Sequence, residues 1–246
     1  MVLRQSLRCL ALLAAAVTIP ASAGTVFDST AQDGLFLLGT PGRTWVGQPF
    51  TAADPGYPLK ISSVTAWFAA TQAMSFTDFV MSVQLWDSFN PFAASVFSSP
   101  VGSVQSQSYG ALSVNAFEIY AATVVFAQPL ALTGLSGHGV AINFQVNTGS
   151  GLTVTENVSV PGRATSAAGA FPVGTVPLPG PSYGYYRNAS GRTDFNFASS
   201  DLYTAGSWSA LAIELDAAVP EPATFFGVGG SVVGLLLVAR ARRRAR

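Results

Sequence analysis

The chain is short of charge. Asp, Glu, Lys and Arg make up 10% of its 246 residues, against about 25% in an ordinary soluble domain. That excludes a highly charged nucleic-acid binder. It contains one cysteine, Cys9, and one histidine, His138. Cys9 precedes residue 24, so the body of the chain has no disulfide and no thiolate chemistry. A zinc site needs three or four Cys or His ligands and is excluded in the same way. No Walker A or dinucleotide-binding glycine motif stands between a strand and a helix. What the chain does have is apolar residues: 49% of the total, with a mean hydropathy of +0.40. A disordered chain is therefore excluded too.

The formal charge of zero conceals a segregation. Two arginines, Arg4 and Arg8, lie before residue 24, and five lie after residue 239. Between residues 24 and 218 stand Arg43, Lys60, Arg163, Arg187 and Arg192 against eleven acids, a net charge of −6. A mildly acidic body lies between two positive ends.

The N-terminus reads as a secretory signal peptide, residues 1–23. Arg4 and Arg8 supply the positive start, Cys9 to Val17 the apolar stretch, and Pro20 the break. Ala21-Ser22-Ala23 is a cleavage site of the Ala-x-Ala kind, so the mature chain begins at Gly24. Nine apolar residues would span roughly 14 Å as helix, about half a bilayer core. Cys9 does not mark a lipoprotein, because it opens the apolar stretch instead of closing it.

The C-terminus has three parts in order: Val219-Pro220-Glu221-Pro222, an uncharged stretch from Ala223 to Ala239, and a tail with Arg240, Arg242, Arg243, Arg244 and Arg246. Seventeen residues of helix rise about 26 Å, the short end of a membrane span. The arginines hold that end in the cytoplasm. The expected topology is body outside, helix 223–239 across, basic tail 240–246 inside. Gly230 and Gly234 form a GxxxG step, a spacing common in such helices.

Residues 219–246 resemble the PEP-CTERM sorting signal of Gram-negative bacteria. The resemblance implies recognition by exosortase, a multi-pass membrane protease, and passage of the body to the cell surface or extracellular matrix. Pro220 and Pro222 keep the boundary extended, as a processing enzyme requires. Glu221 is a lone carboxylate there for a complementary site to read. The Leu-Pro-x-Thr-Gly motif of sortase substrates is absent.

In the body, residues 24–218, apolar and polar residues alternate with period two. Met81, Val83 and Leu85 do so, as do Val140, Ile142, Phe144 and Val146, and Leu211, Ile213 and Leu215. Weaker strands are expected near Ile61–Ala69, Phe117–Ile119, Val124–Phe126 and Leu152–Thr155. The pattern predicts an all-β fold, an antiparallel, jelly-roll-like β-sandwich. Residues 161–184, rich in Gly and Pro, are expected to form a long loop within one domain. Four stretches, Gly47–Thr51, Leu59–Val64, Val83–Trp86 and Gly139–Ile142, resemble in their order the choice-of-anchor type R domains of exported proteins. That resemblance implies a surface domain, not an enzyme.

Four candidate sites remain. His138 and Ser136 share one turn, which seldom places a hydroxyl on an imidazole, and an exposed turn is expected. Asp194, Asn196 and Asp201 approach a calcium cluster, though their spacing matches no EF-hand loop. A carboxylate-based glycoside hydrolase needs two acids about 5 to 10 Å apart, and the body has acids enough. The aromatic run Tyr183, Tyr185, Tyr186, Phe195, Phe197, Tyr203 and Trp208 is the fourth. Tyr183, Tyr185, Tyr186 and Trp208 would stack on sugars if exposed, or fill the core if not. Tyr185 and Tyr186 are neighbours, so alternation sends one outward. The reading is an exported, non-enzymatic surface or matrix protein without cofactors or bound metal. Its partners are exosortase, the membrane and, in the sugar-binding alternative, exopolysaccharide.

Overall fold

The computed structural model describes residues 24–30, 35–37, 45–53, 58–70, 72–134, 137–147, 152–153, 158–159, 161–164, 173–175, 184–188, 192, 194–203 and 209–218. The predicted signal peptide, 1–23, and sorting signal, 219–246, lie outside the described residues. Residues 23–219 form one compact unit.

The described strands, in chain order, are β1 (Gly24–Asp28), β2 (Leu35–Leu37), β3 (Val46–Phe50), β4 (Leu59–Ala70), β5 (Met74–Phe76) and β6 (Asp78–Phe89). Next come β7 (Phe97–Ser108), β8 (Leu112–Val114), β9 (Ile119–Leu132), β10 (His138–Asn147), β11 (Leu152–Thr153) and β12 (Val158–Ser159). The last are β13 (Pro161–Ala164), β14 (Tyr185–Arg187), β15 (Leu202–Tyr203), β16 (Ser209–Leu211) and β17 (Ile213–Ala217). The only helix among the described residues is one 3-10 turn, Ser199–Asp201. The all-β expectation holds, and every ladder between the named strands is antiparallel.

Two sheets carry the body. One runs β1-β17-β4-β12, with β9 also on β4; the other runs β15-β14-β3-β10-β6-β7, with β11 on β10. The alternating residues explain how they meet. Met81, Val83, Leu85, Val140 and Ile142 of the second sheet share one core with Ile61, Val64, Phe68, Val124 and Leu215 of the first. Phe68, Phe79 and Phe144 stack across this layer with centroids 4.5 to 5.5 Å apart. The two inner faces therefore lie against each other, as the period-two pattern requires.

Two expectations need correction. Phe117 is not in a strand: its φ is +61° in the turn before β9, and it is 68% exposed. The 161–184 stretch is not simply a loop either. β13 lies between β2 and β16, and Val173 and Thr175 bridge to Asp28 and Thr51. Those bridges, with Ala53 N donating to Val26 O, join the end of β3 to β1 and cover the outer edge of the first sheet.

The second sheet departs most from a one-sided pattern. From Phe79 to Trp86 every residue of β6 is buried. A second apolar cluster covers its outer face: Trp45, Trp86, Phe89, Val96, Phe97, Ala141, Tyr186 and Phe197. Phe97 lies over two glycines on adjacent strands. A Cβ on Gly139 would stand 2.4 Å from its ring, and one on Gly47 would stand 2.7 Å from it. Trp86, Phe89, Tyr186 and Phe197 hold the ring from other sides, so it has no room to withdraw. Gly139→Ala should therefore lower the unfolding free energy by about 1–3 kcal/mol, the cost of overpacking a filled core. Urea titration of the variant beside the wild type measures it.

Candidate functional sites

Tyr185, Tyr186 and Phe197 of the aromatic run are core. Tyr185 and Tyr186 have 0% exposure each. Alternation does send them to opposite faces of β14, but both faces are covered. Tyr185 belongs to the layer between the sheets, and Tyr186 to the second cluster. Tyr186 meets Phe97 at 5.5 Å, Phe89 at 5.9 Å and Phe197 at 6.3 Å. Burial pushes its hydroxyl pKa up to about 12, and the hydroxyl has no hydrogen-bond partner among the described residues. Phe197 is buried and Phe195 packs beside Trp45 and Trp86. Tyr183 and Trp208 lie outside the described residues. An exposed tyrosine platform at Tyr185 and Tyr186 is thus overturned.

The Asp194, Asn196 and Asp201 cluster is closed by a cation of the chain itself. Arg192 Nη2 lies 2.5 Å from Asp194 Oδ1, and Nη1 lies 3.2 Å from Asp201 Oδ2. Arg192 also donates to Asn196 O. Asp201 Oδ2 accepts from Ala198 N, and Asp194 Oδ1 from Asn196 N. The Arg192 guanidinium holds the Asp194 carboxyl below its ordinary pKa. Buried Asn188 anchors the same loop: its Oδ1 accepts from Trp45 N and its Nδ2 donates to Arg192 O. The arrangement fastens Phe195 and Phe197 over the sheet. Among the described residues no group of three or more His, Cys, Asp or Glu is placed to hold a metal.

His138 is not in an exposed turn. It opens β10, is fully buried, and packs on Phe50 at 5.4 Å. Its Nδ1 lies 3.3 Å from Asp87 O and 3.7 Å from Asp87 Oδ1. The Asp87 carboxylate accepts from Thr133 N at 2.6 Å, Gly134 N at 2.8 Å and Thr133 Oγ1 at 2.5 Å. A nucleophile of the serine-hydrolase kind bonds the imidazole; the Thr133 hydroxyl bonds the carboxylate. Ser136 lies outside the described residues. Burial raises the Asp87 pKa, but the Gly134 and Thr133 hydrogen bonds outweigh it and leave it lowered. Asp87 thus ties the chain leaving β9 to the start of β10.

On the outer face of the first sheet, Glu214 and Asp216 stand two residues apart on β17. Thr25 Oγ1 lies 2.9 Å from Glu214 Oε1 and 3.1 Å from Asp216 Oδ1. Ser63 Oγ donates to Asp216 Oδ2, and Thr65 and Thr123 share a hydroxyl contact beside them. Period two makes such an i, i+2 pair legible once β17 is recognised.

Sequence reasoning also left unread the meeting of the two ends. Gly24, the first residue after the predicted cleavage site, pairs with Ala217, two residues before Val219. Sequence holds no signal for this pairing, since the two residues lie at opposite ends of the body. Ala21 and Ala23, the motif Val219, Pro220, Glu221 and Pro222, and the arginine tail lie outside the described residues. No helix among the described residues is long and apolar enough to cross a membrane. Comparison with family models, curated proteins and solved structures gave no match.

Two outcomes follow. Tyr186→Ala should cost about 3–5 kcal/mol of stability, as other buried aromatic truncations do. Tyr186→Phe, which removes only a buried hydroxyl with no partner among the described residues, should be neutral or stabilising. Denaturant unfolding separates core from platform, because loss of an exposed ring would leave stability unchanged. The second concerns acid. Burial lowers the His138 pKa, with the Asp87 charge opposing, so the fold favours the neutral ring. Its contribution is present above the ordinary value of 6.5 and is lost as pH falls below it. Unfolding measured from pH 7 to 5 should show declining stability, and His138→Gln should flatten that decline.

Proposed function

We propose that this chain is an exported, non-enzymatic surface or matrix protein of a Gram-negative bacterium, sorted by exosortase through residues 219–246. Its body is a jelly-roll-like sandwich, made as a precursor anchored in the inner membrane by helix 223–239. The observation that supports this most is the pairing of Gly24 with Ala217. The predicted signal-peptide cut falls immediately before β1, and the proposed sorting motif begins two residues after the end of β17. Both processing events would then act on chain outside the strands, and neither would cut a hydrogen-bonded ladder. The C-terminal motif, apolar stretch and arginine block supply the address.

The sugar-binding alternative loses its two central residues, since Tyr185 and Tyr186 are buried. Exopolysaccharide is then a matrix neighbour of the displayed body and not a ligand of that tyrosine pair. The carboxylate-based hydrolase alternative needs two acids facing each other across a cleft; Glu214 and Asp216 instead stand side by side on β17, both beside the Thr25 hydroxyl.

Replacing Pro220, Glu221 and Pro222 by Ala should leave export intact and block maturation. Immunoblots of membrane and surface fractions should then show the body retained at full length with the inner membrane. Normal maturation of the variant would sink the sorting proposal.

A further inference from the structure

The loop between β6 and β7, Asn90 to Val96, carries the most exposed large apolar side chain among the described residues, Phe92, at 82%. It is not a slack loop. Phe92 N donates to Asn90 Oδ1 at 3.0 Å, Ala93 N to Asn90 O at 3.2 Å, and Asn90 N to Val96 O at 2.8 Å. Val96 N donates to Phe197 O, and Phe89 and Phe97 pack at its base with centroids 5.6 Å apart. An ordered loop that holds a phenylalanine in water exposes apolar surface at a cost that a partner would relieve.

The topology says which end of the body it occupies. β4 begins at Leu59 opposite Leu132, the last residue of β9. The next residues, Thr133 and Gly134, bond Asp87 near the end of β6. Ala217, the last residue of β17, pairs with Ile61 near the start of β4, and Gly24 pairs with Ala217. The Phe92 loop therefore lies at the same end of the sheets as the entry and exit of the chain. Phe117 is at the other end, its N–H bonded to Ala70 O where β4 closes.

From this placement we infer that Phe92 is a membrane contact: its loop rests in the lipid interface and orients the anchored body. The inference rests on the proposed anchor, helix 223–239. Three features fit a lipid surface. From Ser88 to Phe117 the chain contains no Asp, Glu, Lys or Arg, so seating the loop strips water from no charge in that stretch. Pro91, Ala93 and Ala94 flank the ring with small apolar surface. Lys60 is exposed beside the chain exit, its carbonyl accepting from Ala218 N, and suits an anionic headgroup. Asp87, the acid nearest the loop in sequence, is already engaged by Thr133 and Gly134. One phenylalanine would hold a free protein only weakly. On a chain already tethered at the same end, the contact is intramolecular, and a weak preference suffices to set orientation.

The test uses the full chain with Cys9→Ala, so that one introduced thiol is unique. Phe92→Cys and, separately, Phe117→Cys are labelled with a polarity-sensitive fluorophore. Each protein is reconstituted into phosphatidylethanolamine and phosphatidylglycerol vesicles containing a lipid doxyl-labelled near its headgroup. The label at 92 should shift to the blue and be quenched about threefold more strongly than the label at 117, as expected of an apolar group in the interface. A chain that sediments with the vesicles but shows equal, water-like emission at both positions overturns the contact and leaves the anchor standing. A chain that does not sediment with them overturns both.

Discussion

The central strands of the seven-stranded sheet, β3, β6 and β10, are buried on both faces over most of their length, and most of the body is arranged around that constraint. Its inner face meets the first sheet through Met81, Val83, Leu85, Val140 and Ile142. Its outer face needs a second cover, which the chain assembles from distant pieces: Val96 and Phe97 after the β6–β7 loop, and Phe195 and Phe197 from the segment after β14. A cover made of loop must be fastened, because loop backbone has no ladder of its own. Here Asn188 ties Trp45 to the Arg192 carbonyl, and Arg192 binds both Asp194 and Asp201. The exposed ion pairs add little energy by themselves. Their effect is to hold a segment whose buried rings supply the apolar area.

The same constraint explains which parts of the body were legible in the sequence. β4, β6, β10 and β17 could be read because their inner residues alternate, and alternation is local. The outer cover could not, because Gly47, Phe97, Gly139 and Phe197 meet only after four separate parts of the chain have folded. Gly139 reads as a turn residue by its neighbours, yet it is glycine because an aromatic ring lies on it. Tyr185 and Tyr186 stay open between sugar platform and core in the sequence for a related reason. Alternation tells which face a residue takes, and says nothing of whether that face is wet. His138 reads as exposed through the Gly134-Leu135-Ser136-Gly137 run before it, and such a run carries no signal for the burial of the first residue after it.

Polar groups inside such a body need partners, and the break between β16 and β17 shows how they are found. Ala212 interrupts the strand, so the backbone groups of Leu211 and Ile213 lose part of their ladder. Gln48 Oε1 accepts from Leu211 N, Ser29 Oγ donates to Leu211 O, and Ile213 N donates to Ser29 Oγ. Each of these side chains is buried, and each replaces a bond the sheet would have supplied. None of them reads as important in the sequence, because a lone Gln or Ser has no pattern.

The order of synthesis bears on the two ends. β17 lies between β1 and β4, so both of its edges are paired, and the first sheet lacks a central strand until the last residues of the body are outside. Completion of this sheet then waits for β17, the last described strand of the body. Pro220 and Pro222 have no N–H to give to a neighbouring strand and are not accommodated in one paired on both sides. The ladder that ends at Ala217 therefore cannot run on through the motif. On the proposed sorting reading, the motif would then begin just past the paired end of β17, where Gly24 meets Ala217.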